Sequence, residues 1–140
     1  MCALLNFAIG GLEDHDYARC LITCWVAIEA LLNKRWNEYI NNISHQTVDN
    51  GTKFINKNRM RKLKSHDYTA SVMTEILSLS GRLSFQEYEL IEIVRKTRND
   101  WMHNLKDVSI DNAQIALRAS SMLFHSKFDV ELPAATSLRL

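Results

Sequence analysis

Helix-breaking residues are scarce in this chain. Its single proline is Pro133, and only four glycines are spread over 140 residues. Its apolar residues recur at the helical spacing of three and four positions rather than in the alternation of a strand. These features predict an all-α protein, an up-and-down helical bundle of about five helices with a long loop between the second and third.

The N-terminal part is predicted to hold a short helix followed by a long one. A first helix over residues 3–9 should end at the Gly10-Gly11 pair, because glycine readily adopts the left-handed conformation of a helix C-terminus. A second helix, capped by Asp14 or Asp16, is expected to run to about residue 43. Its apolar residues are so dense that its middle must be buried on several sides, which makes it the central helix of the domain.

The later helices carry clear start signals. A third helix is predicted over residues 68–80. Ser84, with Glu87 three residues later, forms a capping box, so a fourth helix starts at this point. Ser109 can cap a last helix that runs through Phe128. The chain length fits one domain, which we place over residues 1–128, with an irregular C-terminal tail over residues 129–140.

A cationic segment interrupts the apolar pattern. The formal net charge of the chain is only +1, but residues 51–68 contain a single acid, Asp67, among many lysines and arginines. We predict that this segment, part of a long basic loop over residues 44–67 that could include a short helical turn, contacts an anionic partner. The alternative is a solvated linker that uses lysine to stay soluble. The candidate residues for contact with that partner are Lys53, Lys57, Arg59, Arg61, Lys62 and Lys64.

Composition and cysteine usage predict a cytoplasmic protein without membrane contact. Charged residues make up 24% of the chain, which is too polar for a membrane span. The N-terminal stretch MCALLNFAIGG lacks the basic flank and the hydrophobic length of a secretory signal. Cys20 and Cys24, two of three cysteines, are four residues apart and favour core thiols over disulfides. No histidine pair has zinc-ligand spacing, so neither a metal nor another cofactor is expected.

The segment RNDWMHNLKD concentrates the candidate chemistry of the chain. Arg98 follows Ile91 by seven residues and Val94 by four, so it continues an apolar helical stripe, where an arginine needs a reason. Asn99 and His103 are four residues apart and therefore point in a common direction. The segment thus places a cation, an amide and a near-neutral base within about one and a half helical turns.

Arg98 and His103 do not share a face of a straight helix. Five residues of helix rotate one side chain away from the other by roughly 140°. The two can converge if the helix ends or bends between them, or if a second subunit completes the site. Both routes are open at the level of the sequence, since Asn104 can take the left-handed conformation that ends a helix.

At these residues the chain resembles a HEPN domain (higher eukaryotes and prokaryotes nucleotide-binding). The resemblance rests on the long apolar second helix carrying Glu29, the capped fourth helix, and Arg98-Asn99 followed by His103 before the last helix. It covers roughly residues 3–128. The resemblance implies a helical bundle that usually dimerises. In active members it implies a metal-independent endoribonuclease whose two motifs meet at the dimer interface.

The chemistry of the three side chains agrees with what this resemblance implies. Metal-independent RNA cleavage requires the 2′-hydroxyl to lose a proton, the phosphorane oxygens to be stabilised and the 5′-oxygen to be protonated. A histidine titrates near neutral pH, so His103 is the candidate acid or base. Arg98 offers a permanent charge matched to phosphate oxygens, which contributes on the order of 3 kcal/mol to lowering such a barrier. Asn99 could orient the imidazole or donate to a phosphate oxygen. With RNA as the substrate that the resemblance implies, the six cations from Lys53 to Lys64 become the candidate RNA-binding residues, which attract the RNA backbone independently of sequence.

Other readings of the sequence remain open. Arg98 and His103 could form a polar helix terminus without catalytic function. The bundle could be a catalytically silent HEPN-like module that binds RNA, a nucleotide or a partner protein, or a dimerisation domain of a larger protein. Some toxin members of the family place a tyrosine two residues after the histidine, where this chain has Leu105. The nuclease hypothesis predicts a homodimer with a composite active site, acting as a toxin or antiviral-defence effector, with a cognate antitoxin or regulatory protein as a further partner.

Overall fold

A computed structural model describes residues 2–47, 51, 53, 55–65 and 67–128. The described chain is an all-α helical bundle, as the sequence predicts. Six helices are present in this part rather than about five. The sixth is a short helix inside the predicted basic loop. The helices are α1 (Cys2–Glu13), α2 (Tyr17–Ser44), α3 (Lys57–Leu63), α4 (Ala70–Leu79), α5 (Phe85–Asn104) and α6 (Ile110–Phe128). The predicted tail over residues 129–140 lies outside the described residues.

Helix α2 is the central helix of the bundle. The side chain of Asp16 caps it by accepting a hydrogen bond from the Arg19 backbone N–H at 3.0 Å. Its apolar side chains are buried along most of its length, and it packs against α1, α4, α5 and α6. Cys20 and Cys24 are free thiols within this core, which confirms the prediction made from their spacing.

The Gly10-Gly11 pair does not end the first helix, so that prediction is wrong. Helix α1 continues through both glycines to Glu13, and the chain reverses at His15, which has a positive φ of 58°. Gly11 instead permits close packing of α1 on α2. A Cβ atom at this position would lie 2.9 Å from the backbone nitrogen of Cys20. The glycine is required by a contact between helices rather than by a helix terminus.

The predicted start signals of the last two helices are confirmed. The Ser84 side chain accepts a hydrogen bond from the Glu87 backbone N–H at 3.2 Å, and the Glu87 carboxylate accepts one from the Ser84 N–H at 2.7 Å. This is the capping box of α5. Ser109 Oγ accepts a hydrogen bond from the Asn112 N–H at 3.2 Å at the start of α6.

Contacts between helices fix the direction in which each one runs. Cys20 near the start of α2 donates to the carbonyl of Ala113 near the start of α6, and Arg35 farther along α2 bonds the carbonyl of Leu123. Helices α2 and α6 therefore run in parallel. Arg35 also bonds Glu87 at the start of α5, so α5 runs in the opposite direction and ends beside the start of α6.

Candidate active site

The predicted motif lies on one unbroken stretch of helix. Helix α5 extends to Asn104, so Arg98, Asn99 and His103 all belong to it. The helix does not end between Arg98 and His103, and at 3.6 residues per turn their side chains diverge by roughly 140°. The structure therefore excludes the route in which the helix ends between the two residues, and completion by a second subunit stays open.

Arg98 is a partly buried cation without a carboxylate partner. Its Nη1 donates to the side-chain oxygen of Asn99 at 3.0 Å. Its Nε is buried and has no hydrogen-bond partner. Within the described chain, no aspartate or glutamate lies within salt-bridge distance of it. Because no carboxylate of the described residues compensates this cation, the guanidinium is suited to bind an anion from outside the protomer.

His103 lies at the exposed end of the same helix. Its side chain is exposed and makes no hydrogen bond to the described residues. Asn99 does not orient this imidazole within the protomer, since its amide oxygen accepts from Arg98 instead. Apolar side chains close to His103 in the chain are also exposed, namely Met102, Leu105 and Ile110.

Leu105, not Asn104, takes the left-handed conformation that ends α5. Its φ is 51°, and its backbone N–H bonds the carbonyl of Asp100. The Asp100 carboxylate then accepts from Lys106 Nζ at 2.9 Å and from the Asn104 amide at 3.2 Å. The ion pair with Lys106 holds the pKa of Asp100 below its usual value. The acid within the motif therefore stabilises the helix terminus and does not face Arg98.

The predicted basic segment contains a short amphipathic helix. The Asn56 side chain caps α3 by accepting a hydrogen bond from the Arg59 N–H at 3.0 Å. Met60 and Leu63 pack towards the core, and the Trp36 indole N–H donates to the Leu63 carbonyl at 2.9 Å. The six predicted RNA-binding cations are all exposed: Lys53, Lys57, Arg59, Arg61, Lys62 and Lys64.

The basic helix and the motif lie at opposite ends of the bundle. Helix α3 packs on α2 alone among the described helices, at Trp36, next to the residue that bonds Glu87 at the start of α5. At a rise of 1.5 Å per residue, Arg98 and His103 lie about 17 and 24 Å farther along α5 than Glu87. The structure therefore does not bring the predicted cations and the predicted catalytic residues together within one protomer.

A second arginine on an apolar stripe was missed at the level of the sequence. Arg35 follows Ile28 by seven residues, the same spacing that drew attention to Arg98. Its Nη2 donates to Glu87 Oε1 at 3.0 Å and to the Leu123 carbonyl at 3.2 Å, and it also bonds Ser126 Oγ. This compensated arginine connects α2, α5 and α6, so it is a structural group. Its position on the apolar stripe of α2 was the signal in the sequence that could have identified it.

Glu29, which is part of the resemblance, is placed by the structure beside a groove. The groove lies between α2 and the start of α4, and its other lining residues include Asn33, Lys64 and Tyr68.

Within the described chain, no group of three or more His, Cys, Asp or Glu side chains is arranged to hold a metal ion. None of the described helices is both long and apolar enough to cross a bilayer.

No family model, curated protein or solved structure significantly matches this chain.

Proposed function

We propose that this protein is a metal-independent endoribonuclease of HEPN type that acts as a homodimer in the cytoplasm. The observation that carries the proposal is the environment of Arg98. It is a partly buried guanidinium that bonds only the neutral amide of Asn99 among the described residues, with no carboxylate within salt-bridge distance. Arg35, on an equivalent stripe, has its charge fully compensated. A phosphate of bound RNA would supply to Arg98 the negative charge that the described residues do not.

Each side chain of the motif has a role in this proposal. His103 removes the proton of the 2′-hydroxyl or protonates the departing 5′-oxygen as the P–O5′ bond breaks. Arg98 donates to the phosphorane oxygens while their negative charge develops. Asn99 holds the guanidinium through its amide oxygen, which orients the cation towards the phosphate. Asn99 therefore orients Arg98 rather than the imidazole of His103.

In this proposal a second subunit brings Arg98 and His103 together. Arg98 and His103 diverge within a protomer, and exposed apolar side chains, Met102, Leu105 and Ile110, lie near His103 in the chain. Burying them against a two-fold mate would bring the His103 of one subunit towards the Arg98 of the other. The basic helix α3, at the other end of the bundle, would attract the RNA backbone independently of sequence.

Cleavage of structured RNA in the presence of EDTA tests the proposal. Arg98→Ala and His103→Ala should each reduce the cleavage rate by about 100-fold or more, because each removes a group that acts in the transition state. Lys96→Ala and His45→Ala are matched controls, since both replace exposed side chains. All four variants should keep the circular dichroism spectrum of the wild type. Cleavage that survives both Arg98→Ala and His103→Ala would overturn the proposal.

The second candidate function is a catalytically silent HEPN-like module that binds RNA. The distance between α3 and the motif favours it, because the cations that attract RNA need not serve a cleavage site at the far end of α5. Under this alternative, RNA binds with dependence on the basic helix and remains intact under all conditions tested. The same EDTA experiment therefore separates the two candidates.

A further inference from the structure

A polar groove of about 460 Å³ lies between α2 and the start of α4. This volume is within the range of roughly 300–1,000 Å³ that is typical of small-molecule pockets. Its lining includes an aromatic ring, amide and hydroxyl side chains, one acid and one lysine. These residues are Glu29, Asn33, Lys64, Ser65, Tyr68 and Thr69.

The aromatic ring at this groove is held rigidly on one side. Tyr68 stacks on Trp36 with ring centroids 5.2 Å apart and an interplanar angle of 28°. Trp36 is buried and is fixed by its hydrogen bond to the Leu63 carbonyl. Tyr68 is only partly buried and lines the groove. Since an ordered ring offers a stacking surface at a low entropic cost, Tyr68 is suited to receive a planar group.

The polar groups of the groove offer hydrogen-bond acceptors to that planar group. The amide NH₂ of Asn33 donates to the Glu29 carbonyl at 2.9 Å, which leaves the amide oxygen as an acceptor. The Glu29 side chain, itself partly exposed, adds a carboxylate acceptor. Carboxylate and amide groups bond the edges of nucleobases. The same carboxylate would repel a phosphate, so a nucleotide should enter base first.

Positive charge borders the groove on the side of α3. Lys64 lines the groove itself, and the exposed cations of α3 precede it in the chain. A strand whose base lies on Tyr68 would therefore have its phosphates next to lysines and arginines. A groove with a stacking surface beside a basic track is the arrangement typical of proteins that bind single-stranded nucleic acid.

We propose that this groove binds an unpaired nucleotide of single-stranded RNA, with its base stacked on Tyr68 and its phosphates on α3. Neither Arg98 nor His103 lines this groove, so the site is separate from the proposed catalytic residues. The proposal deepens the proposed function and rests on it for the choice of RNA as ligand. It does not depend on catalysis.

Binding of a fluorescent single-stranded oligonucleotide, measured by anisotropy, tests the groove. The His103→Ala background keeps the RNA intact during the measurement. Tyr68→Leu should weaken binding by about tenfold or more, since loss of one stacked base has an effect of this size. Tyr39→Leu is the matched control, because Tyr39 also packs against Trp36 but does not line the groove. It should change the affinity by less than about twofold, because it removes no base contact.

A second measurement locates the base directly. An oligonucleotide that contains 5-bromouridine should crosslink on irradiation to Tyr68 or another lining residue, and peptide mass spectrometry identifies the attachment point. Equal affinities for Tyr68→Leu and Tyr39→Leu, with crosslinks elsewhere, would overturn the groove. This result would not affect the nuclease proposal. That proposal is tested separately by the cleavage activity of the Arg98 and His103 variants. Conversely, weakened binding in Tyr68→Leu together with no cleavage by the wild type would support the groove as a binding site and would contradict the nuclease proposal.

Discussion

Arg35 and Glu87 form a salt bridge of 3.0 Å whose side chains are only 9% and 6% exposed. The carboxylate also accepts from Ser126 Oγ at 2.7 Å, and Arg35 Nη1 donates to the Arg82 carbonyl at 3.2 Å. The pair therefore joins the central helix, the start of α5 and the last turns of α6. Burial alone would disfavour both charges, and the hydrogen bonds around them offset that penalty.

Removal of one partner of this pair should strongly destabilise the fold. Arg35→Ala leaves the Glu87 carboxylate buried without its cation, so we expect the free energy of unfolding to fall by about 3–5 kcal/mol. Arg82→Ala is the matched control, because that side chain is exposed and its carbonyl is retained. The control should stay within about 0.5 kcal/mol of the wild type. Urea denaturation followed by circular dichroism measures both, and equal stabilities would show that the pair is not structural.

The contribution of Glu87 should disappear at acid pH. Burial raises its pKa, but the hydrogen bonds from Arg35, Ser126 and the Ser84 N–H outweigh this effect, and the net pKa lies below the usual value of 4.5. A carboxyl with a lowered folded-state pKa adds stability above its unfolded-state pKa and loses it as the pH falls through the folded value. Glu87→Gln retains a capping residue and should be less stable than the wild type at neutral pH.

The pH series has a clear pattern to test. The stability difference between the wild type and Glu87→Gln should be constant above the usual glutamate pKa of 4.5 and should shrink below it. Urea denaturation at several pH values measures this difference, and the comparison cancels the titration of other carboxyls. A difference that stays constant down to the most acidic pH at which the protein folds would contradict the assignment.

The two adjacent glycines of α1 should respond oppositely to alanine. A Cβ at Gly11 would meet the backbone nitrogen of Cys20 at 2.9 Å, and backbone cannot move aside easily, so Gly11→Ala should cost about 1–3 kcal/mol. A Cβ at Gly10 would meet only the flexible end of Arg19 at 3.3 Å. Gly10→Ala should be neutral or stabilise by up to about 1 kcal/mol, because alanine favours helix. Thermal unfolding compares them, and similar losses in both variants would contradict the packing role.

The sequence predicts local features of this fold well and long-range features poorly. The capping box of Ser84 and Glu87 was predicted correctly because its hydrogen bonds join residues three positions apart. The role of Gly11 was predicted wrongly because glycine next to glycine also fits a helix terminus. The residue must be glycine because the backbone of α2 lies against it, and a contact between two helices cannot be read from the sequence near Gly11.

The candidate site shows the same limit. Arg35 and Arg98 have equivalent positions on apolar stripes, so periodicity alone gives them equal weight. They differ in their partners, since Arg35 meets a glutamate 52 residues away and Arg98 meets only its neighbour Asn99 in the described chain. The sequence therefore indicates the motif and the cations of α3 as candidates, but it does not indicate that the bundle places them at opposite ends.

The exposed cations of α3 should determine how strongly salt weakens RNA binding. Each phosphate contact that is lost reduces the slope of log affinity against log salt by about 0.7 for a single strand. We expect Arg61→Ala with Lys62→Ala to reduce the slope by about 1.4, since it removes two such contacts. Arg118→Ala, an exposed cation of α6, should leave the slope unchanged. Titration of RNA in the His103→Ala background at several salt concentrations measures it, and an unchanged slope in the double variant would exclude α3 from the RNA-binding surface.

The divergence of Arg98 and His103 on one helix makes a composite site testable by mixing inactive subunits. If each site takes Arg98 from one subunit and His103 from the other, a heterodimer of Arg98→Ala and His103→Ala has one intact site and one doubly damaged site. After unfolding and refolding an equal mixture, half of the dimers are heterodimers, so cleavage should recover to about a quarter of the wild-type rate. The two variants refolded separately should stay inactive. A mixture no more active than its components would show that the two groups do not act in this exchanged pairing across the interface.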